Sequence, residues 1–164
     1  MRTLAYLSSL ATFFVVAAQA LIPATPPQFE TLFVGALELG DVGTISNSTF
    51  GTRVYAPISG GNFTDPSGKL VATVLPGSAD TGIANAAGFF FPQVVLNLRW
   101  EVDQKLAYLR AEGVGKLFES DLNYLHLETD SETYSALNSR FLLVNVSFTE
   151  GDPTHSVVTI FGAV

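Results

Sequence analysis

The stretch FGTRVYAPISGGNFTDPSGKLVATVLPGSAD, residues 50–80, carries the pattern that decides the fold. Two β-rich runs, residues 52–58 and 69–75, are separated by clusters of glycine, serine, asparagine and proline. Glycine tolerates positive φ and proline fixes φ at about −65°, so these clusters predict turns. A second breaker, Pro-Gly-Ser at residues 76–78, then places Asp80 just past the end of a strand.

The remaining chain repeats this alternation of short strands and turns. Residues 93–102 alternate strictly between polar and apolar side chains, which is typical of a strand with one buried face. Further strands are predicted at residues 29–39, 106–113, 123–128, 141–148 and 156–161. One helical turn is predicted at 130–134, and a loop or helical turn at 83–88.

About eight or nine short strands without a long 3.6-residue periodicity predict an all-β fold. The simplest architecture for this spacing is a single small antiparallel β-barrel. A barrel of eight strands has an interior that is either filled by side chains or able to hold one small ligand.

The N-terminus has the features of a secretory signal peptide. Arg2 is followed by an apolar run and by Ala18-Gln19-Ala20, a small-x-small cleavage pattern. We therefore expect a signal peptide at residues 1–20, a Pro-rich linker at 21–28 and the barrel at 29–164. The apolar run is short for a membrane span, so we expect no stable anchor and a location in the secretory pathway or outside the cell.

Charge and cysteine content exclude several classes of function. The 164 residues carry a formal charge of −7 and include no cysteine. Losing Arg2 with the signal peptide would leave −8, and such an acidic surface disfavours nucleic acids and anionic membranes as partners. Without cysteine there is neither a disulfide scaffold nor a thiol nucleophile, so the core alone has to stabilise the fold.

Three Asn-x-Ser/Thr triplets predict N-glycosylation in a secreted chain. They begin at Asn47, Asn62 and Asn145. Asn47 and Asn62 lie among turn-forming residues, which favours their modification. Asn145 lies in a predicted strand and is the weakest of the three sites.

Familiar catalytic and metal-binding motifs are absent from the sequence. There is no Gly-x-Ser-x-Gly elbow, no Walker loop and no dinucleotide fingerprint, so we expect no cofactor. Neither His126 nor His155 has a metal-ligand partner at useful spacing, so no metal site is predicted. His126 alternates with leucines, and its pattern fits a partly buried structural histidine better than a proton carrier.

Polar side chains recur at every second position on separate strands, which leaves two interpretations open. They are Arg53, Tyr55, Arg99, Tyr108 and Arg110. In the first interpretation they all face water on the outside of the barrel. In the second, Arg53 and Arg99 lie inside and pair with Asp80, because a buried charge requires a partner. Trp100 would then line a pocket, or else be ordinary core.

Several motifs resemble, in order, a family of small β-barrel proteins from fungi and bacteria known only as a domain of unknown function. The resemblance covers residues 29–164. Thr81 departs from it, since the family usually has an aromatic residue after the aspartate. The motifs are Gly51-Thr52-Arg53, Gly60-Gly61-Asn62-Phe63, Leu75-Pro76-Gly77-Ser78-Ala79-Asp80, Leu96-Asn97-Leu98-Arg99-Trp100, Tyr108-Leu109-Arg110-Ala111-Glu112-Gly113 and Tyr134-Ser135-Ala136-Leu137-Asn138.

The chain is also similar to the secreted fungal hetero-Diels–Alderases of tropolone–sesquiterpenoid biosynthesis. This resemblance implies a cofactor-free pericyclase that orients a tropolone quinone methide and a humulene-type polyene in an apolar cavity. Such a reaction needs orientation and one or two hydrogen-bond donors. The expected catalytic residues are Arg53, Tyr55, Asp80 and Arg99, and the expected substrate-binding residues are Trp100, Tyr108 and His126.

Two other classes of function remain compatible with the sequence. A secreted carrier of apolar small molecules would have the same cavity but no turnover. A structural or interaction protein would have a filled barrel and no cavity. In each class a homodimer would cover exposed apolar strand faces.

Overall fold

The computed structural model describes residues 25–164, which form twelve β-strands and one 3₁₀ turn at Ser135–Ser139. The strands are β1 Phe29–Leu39, β2 Gly43–Ser48, β3 Gly51–Thr64, β4 Leu70–Val74, β5 Ser78–Asp80, β6 Ile83–Ala84, β7 Phe90–Phe91, β8 Gln93–Trp100, β9 Leu106–Lys116, β10 Ser120–Thr129, β11 Leu142–Thr149 and β12 Asp152–Ala163.

Eight of these strands close into an antiparallel barrel, which confirms the predicted all-β barrel. The circuit runs β1–β12–β11–β10–β9–β8–β4–β3 and returns to β1 through the β1–β3 pairing. The other four strands reinforce one side: β5 bridges β3 and β8, β2 pairs with β3, and β6 and β7 link β3 to β9. Closure satisfies the backbone of every strand in the circuit and leaves it without a free edge.

One predicted turn is wrong, because β3 passes through it as a continuous strand. The Ser-Gly-Gly-Asn cluster at residues 59–62 lies within β3. Gly61 has a φ of +141°, and a Cβ there would collide with the carbonyl oxygen of Ala36 on β1. The glycines thus let β3 bend and approach β1, where the pairing register shifts. A glycine inside a strand often marks such a bend.

Alternation along the strands separates the barrel interior from its outer surface, as the sequence predicts for β8. Val94, Leu96, Leu98 and Trp100 are buried, while the intervening residues of β8 lie outside. The same pattern holds along β9 and β10, where every second residue is buried over most of each strand. In a small closed barrel the inward positions form the core.

Aromatic rings fill one end of the barrel interior. Trp100 is 1% exposed and stacks on Tyr134 with ring centroids 4.0 Å apart, while Phe33 lies 5.7 Å from Trp100. The indole Nε1 donates to the hydroxyl of Thr129 at 2.9 Å, which satisfies the buried N–H. Leu137 of the 3₁₀ turn packs in the same cluster. This end of the barrel is therefore closed by packing.

The remaining sequence expectations differ from the structure in detail. The 3₁₀ turn begins just after the helical turn predicted at 130–134. Residues 83–88 form β6 and a turn rather than a helix. The predicted signal peptide and part of the predicted linker fall outside the described residues. Within residues 25–164, no helix is both long and apolar enough to cross a membrane.

Replacing Trp100 with alanine should destabilise the protein strongly, because it removes the central ring of the aromatic cluster. We expect a loss of about 3–5 kcal/mol in the free energy of unfolding, measured by chemical denaturation. Tyr108→Ala is the matched control on the outer face, with an expected loss below about 1 kcal/mol. Equal losses for the two variants would contradict this description of the core.

Candidate functional site

An enclosed cavity occupies the barrel end opposite Trp100. Its volume is about 50 Å³, and its wall consists of aliphatic and aromatic side chains together with three polar ones. The polar residues are Asp80 on β5, Asp121 on β10 and Ser156 on β12. A cavity that is mostly apolar and carries a few convergent polar groups is the usual form of a ligand site.

Asp80 enters the barrel interior because β5 inserts it between two inward-facing residues. It pairs with Ala56 on β3 and with Val94 on β8. Its Oδ1 accepts hydrogen bonds from the amides of Gly82 at 2.9 Å and Gln93 at 3.1 Å. Burial raises the pKa of the Asp80 carboxyl, and the two amide bonds offset part of this effect. Within residues 25–164, its Oδ2 has no hydrogen-bond partner.

Asp121 is the second inward carboxyl and is only 6% exposed. Its Oδ1 accepts a hydrogen bond from the side-chain amide of Asn123, the next inward residue of β10. Burial raises the pKa of Asp121 to about 6; the bond from Asn123 opposes this shift and the charge of Asp80 adds to it. The two carboxyls are therefore close enough to influence each other's ionisation.

Two glycines make room for these polar side chains on β10. Gly115 pairs with Asp121 and Gly113 pairs with Asn123 across the β9–β10 ladder. A Cβ at Gly115 would collide with Cβ of Asp121, and one at Gly113 would collide with the Asn123 side chain. The absence of side chains at both positions lets a carboxyl and an amide lie inside the barrel.

Ser156 completes the polar part of the cavity wall. It is 2% exposed, lines the cavity, and pairs with Leu37 on β1 and Phe148 on β11. No hydrogen-bond partner for its hydroxyl occurs within residues 25–164. A buried hydroxyl in this condition remains available to a ligand or a water molecule.

Aromatic side chains from two adjacent hairpins cover the mouth of the cavity. Phe118 in the β9–β10 turn meets Phe148 edge-on at 5.6 Å, and the Phe148 amide donates to the Glu119 carbonyl at 2.9 Å. Phe118 has a φ of +58°, a left-handed conformation that is unusual for a bulky residue. The cavity is smaller than the 150 Å³ cavity known to hold benzene, so a larger ligand requires these side chains to move.

The predicted interior pairing of Arg53 and Arg99 with Asp80 is wrong. Arg99 lies on the exposed face of β8, because its neighbours occupy the inward positions. Arg53 also points outward, where its guanidinium donates to the Thr81 carbonyl at 2.6 Å and to Oε1 of Gln93 at 2.9 Å. Tyr55 is 53% exposed on the same outer face of β3. The alternative expectation, that these side chains face water, is confirmed.

The three predicted substrate-binding residues also lie away from the cavity. Trp100 belongs to the packed end of the barrel, as its alternative interpretation as core predicts. Tyr108 is on the outer face of β9. His126 is exposed on β10 and bonds Glu128 at 2.8 Å, so the expectation of a partly buried histidine is wrong. Of the candidates from the sequence, Asp80 is the one that lines the cavity.

Sequence reasoning missed Asp121, Asn123 and Ser156, and for Asp121 the cause is the boundary of a predicted strand. The predicted strand at 123–128 begins three residues after the start of β10, so Asp121 was not assigned to a face. Extending the alternation of Leu127 and Leu125 toward the N-terminus would have placed Asn123 and Asp121 inside. The signal was present in the period-two pattern.

The chemistry that the two carboxyls offer is acid–base chemistry. Within residues 25–164, no group of three or more histidine, aspartate and glutamate side chains is arranged to hold a metal ion. When two carboxyls of raised pKa interact in an apolar cavity, they lose their protons at different pH values. Over an intermediate range of pH, one carboxyl is protonated and donates a hydrogen bond while the other is ionised. Such a pair can polarise an oxygen atom or stabilise a positive charge.

The three sequons differ in the freedom of their side chains. Asn47 and Asn62 are exposed on β2 and β3, and Asn47 has a left-handed φ of +58°. Asn145 is partly buried on β11, and its Nδ2 donates to the Asp121 carbonyl at 3.1 Å. The atom that a glycan would modify is thus already engaged at Asn145.

Comparison with known proteins identifies similar folds but no family. No protein-family model matches the chain, and neither does any curated protein sequence. The chain is similar to the solved structure of a β-barrel-like protein from Acinetobacter baumannii, with a TM-score of 0.72 and 21% identity over 86% of this chain and 98% of that one. It is similar to a protein of unknown function from Clostridium acetobutylicum, with a TM-score of 0.74 and 17% identity over 85% of this chain and 100% of that one. It is also similar to an enzyme from Penicillium herquei, with a TM-score of 0.68 and 16% identity over 87% of this chain and 98% of that one. The TM-scores show that the chain shares its fold with these proteins despite the low identities.

Protein stability should fall as the pH rises through the range in which Asp121 ionises. The folded-state pKa of about 6 exceeds the ordinary value of 3.8, so the folded protein binds more protons than the unfolded chain between these values. We expect Asp121 to lower the free energy of unfolding by up to about 3 kcal/mol between pH 4 and pH 7. Asp121→Asn should flatten that dependence. Parallel pH curves from urea denaturation of the two proteins would contradict this assignment.

Glycosylation in a eukaryotic secretory host should occur at Asn47 and Asn62 and be low at Asn145. The first two side chains are accessible, whereas the Asn145 amide is held by the Asp121 carbonyl. Peptide mass spectrometry after enzymatic deglycosylation gives the occupancy of each site. Full occupancy of Asn145 together with an empty Asn62 would contradict the expected order.

Proposed function

We propose that this protein is a cofactor-free cyclase of the hetero-Diels–Alderase type. In this proposal it joins a tropolone quinone methide to a humulene-type polyene inside the barrel. The observation that carries the proposal is the cavity, whose polar groups Asp80, Asp121 and Ser156 interrupt an otherwise apolar wall. The fold similarity to a fungal enzyme supports an enzymatic role for the barrel.

The reaction forms one C–C and one C–O bond from existing π electrons. No atom is lost, and neither a nucleophile nor a redox partner is required. In an asynchronous transition state, negative charge develops on the oxygen of the quinone methide and positive charge on the alkene carbon. Preorganised groups aimed at such developing charge accelerate a reaction strongly.

The two carboxyls fit these opposite charges. Asp121, protonated at a pH below about 6, donates a hydrogen bond to the quinone methide oxygen. Asp80, whose Oδ1 is held by two amides, presents its other oxygen to the electron-poor end of the alkene. The apolar wall holds the two reactants together, which lowers the entropic part of the barrier.

Binding of two such reactants requires the cavity to enlarge from about 50 Å³. Phe118 is the part of the wall best suited to move, because it lies in a turn and is partly exposed. Its contact with Phe148 closes the mouth when no ligand is bound. Opening of this mouth admits the substrates, and its closure excludes water during the reaction.

This assignment replaces the arginines as hydrogen-bond donors. Arg53 and Arg99 direct their side chains away from the barrel interior, so neither reaches a reactant in the cavity. Tyr55 is excluded for the same reason. Asp121 is the proposed hydrogen-bond donor. Asp80 remains a proposed site residue, held by the amides of Gly82 and Gln93 instead of an arginine.

Incubating the secreted protein with a quinone-methide precursor and humulene tests the proposal. We expect an accelerated reaction, a single enantiomer, and a rate that declines as the pH rises above about 6. Asp121→Ala should lower the turnover number by about 10²–10³-fold, because it removes a donor to the developing oxyanion. Chiral chromatography of the product, compared with the protein-free reaction, provides the measurement.

Arg99→Ala is the control. Arg99 lies on the outer face of β8, whereas Val94 on the same strand faces the barrel interior. Unchanged kinetics for this variant separate the cavity from the barrel surface. A racemic product formed at the protein-free rate would overturn the proposed reaction. Tight binding of either reactant without acceleration would instead indicate a carrier of apolar molecules.

A further inference from the structure

The cavity combines a buried carboxyl, Asp121, and a partly buried one, Asp80, with a wall that has no basic side chain. Among the residues described, the cavity wall has no lysine, arginine or histidine. Asp80 receives amide hydrogen bonds, and Asp121 receives one from Asn123. Arg53, the arginine on the strand beside Asp80, directs its guanidinium to Thr81 and Gln93 instead. Negative charge inside the barrel thus lacks a protein cation.

Each carboxyl is anchored through one oxygen and has the other free. Oδ1 of Asp80 and Oδ1 of Asp121 hold the side chains in place, whereas Oδ2 of each has no partner within residues 25–164. Both residues line the cavity, together with the buried hydroxyl of Ser156, which also has no partner there. Three oxygen atoms without a protein partner thus border an apolar space. Beside them, the Oδ1 atom of Asn123 is fully buried and also has no partner within residues 25–164. Buried polar groups normally find partners, so this arrangement indicates a ligand.

The residues that pair with Asp121 on the neighbouring strands are uncharged. The positions paired with it are Gly115 on β9 and Val146 on β11, and neither side chain is charged. Asp80 is the other titratable group in the cavity wall. A carboxylate in such surroundings favours any positive charge that enters, because an unpaired buried charge is energetically costly.

We propose that the cavity selects small apolar molecules that carry a positive charge, such as primary amines, at the end that meets Asp80 and Asp121. An ammonium group donates up to three hydrogen bonds, and Asp80, Asp121 and Ser156 offer acceptor oxygens along the same cavity wall. The apolar part of the molecule occupies the rest of the cavity once the Phe118 and Phe148 side chains move apart to enlarge it. Anions of the same shape are rejected by like-charge repulsion. The inference rests on the proposed function only in its use of the same cavity, and it also fits a positive charge that develops during cyclisation.

Three compounds of matched shape test this selection: benzylamine, benzyl alcohol and benzoate. Each is titrated into the isotopically labelled protein, and the shifts of amide resonances from cavity residues give the dissociation constants. At about pH 7.5 we expect benzylamine to bind about tenfold more tightly than benzyl alcohol, which is the gain typical of a charge-assisted hydrogen bond. Benzoate should bind at least tenfold more weakly than benzyl alcohol.

Variants and pH show whether the carboxyls cause the preference. Asp121→Asn should reduce the advantage of the amine over the alcohol to about twofold or less, since the amide keeps the shape but loses the charge. Glu112→Gln is the matched control: it removes the same formal charge from the outer face of β9 and should preserve the full preference. If Asp121→Asn fails to fold, the wild-type protein at about pH 4.5 provides the same test, because Asp121 is then protonated.

The outcomes separate this inference from the proposed function. Equal affinities for amine and alcohol, or a preference that survives neutralisation of Asp121, would overturn the inference while the cavity stays a site for apolar substrates. Failure of all three compounds to shift cavity resonances would overturn the inference and remove the basis of the proposed cyclase as well. Cyclase activity together with equal affinities would overturn the inference alone.

Discussion

Closure of the sheet is the constraint on which the rest of the structure depends. β1 pairs with β12 on one side and with β3 on the other, so the circuit has no free edge and each strand keeps a single register. Because side chains alternate, that register assigns every residue to the interior or the surface. A carboxyl at an inward position therefore enters the barrel whatever its preference for water. Asp80 and Asp121 occupy such positions, and the fold holds them there through hydrogen bonds from the chain itself.

The two ends of the barrel interior have contrasting compositions. Around Trp100 the inward residues are large, and their rings pack closely enough to fill the space. At the other end the inward positions of β9 are Gly113 and Gly115, and the space beside them holds polar groups and a cavity. Buried polar groups reduce stability, and groups of this kind are concentrated at functional sites. The acidic pair thus has a physical cost that is consistent with the proposed role of this end of the barrel.

The sequence predicted the fold well because strand alternation and turn chemistry are local. It predicted the site only in part, since the site depends on which strands meet. Asp80 was predicted as a site residue and does line the cavity. Its predicted arginine partners were wrong, because Arg53 on β3 and Arg99 on β8 lie on strand faces that the closed barrel turns outward. Asp121 was missed because the predicted strand began at residue 123, whereas β10 begins at Ser120. Gly61 was interpreted as a turn residue, although its role is to let two strands approach each other. These errors involve contacts between residues distant in sequence.

The central claim is that the barrel holds an interacting carboxyl pair of raised pKa in an apolar cavity. Carbon-13 NMR titration of the aspartate carboxyls tests it most directly, with Asp80→Asn and Asp121→Asn used to assign the two resonances. We expect Asp121 to titrate near pH 6, Asp80 to titrate above its ordinary range, and neutralisation of Asp80 to lower the pKa of Asp121. Two independent titrations at ordinary aspartate values would contradict it, because both carboxyls would then be exposed to water and free of each other's charge.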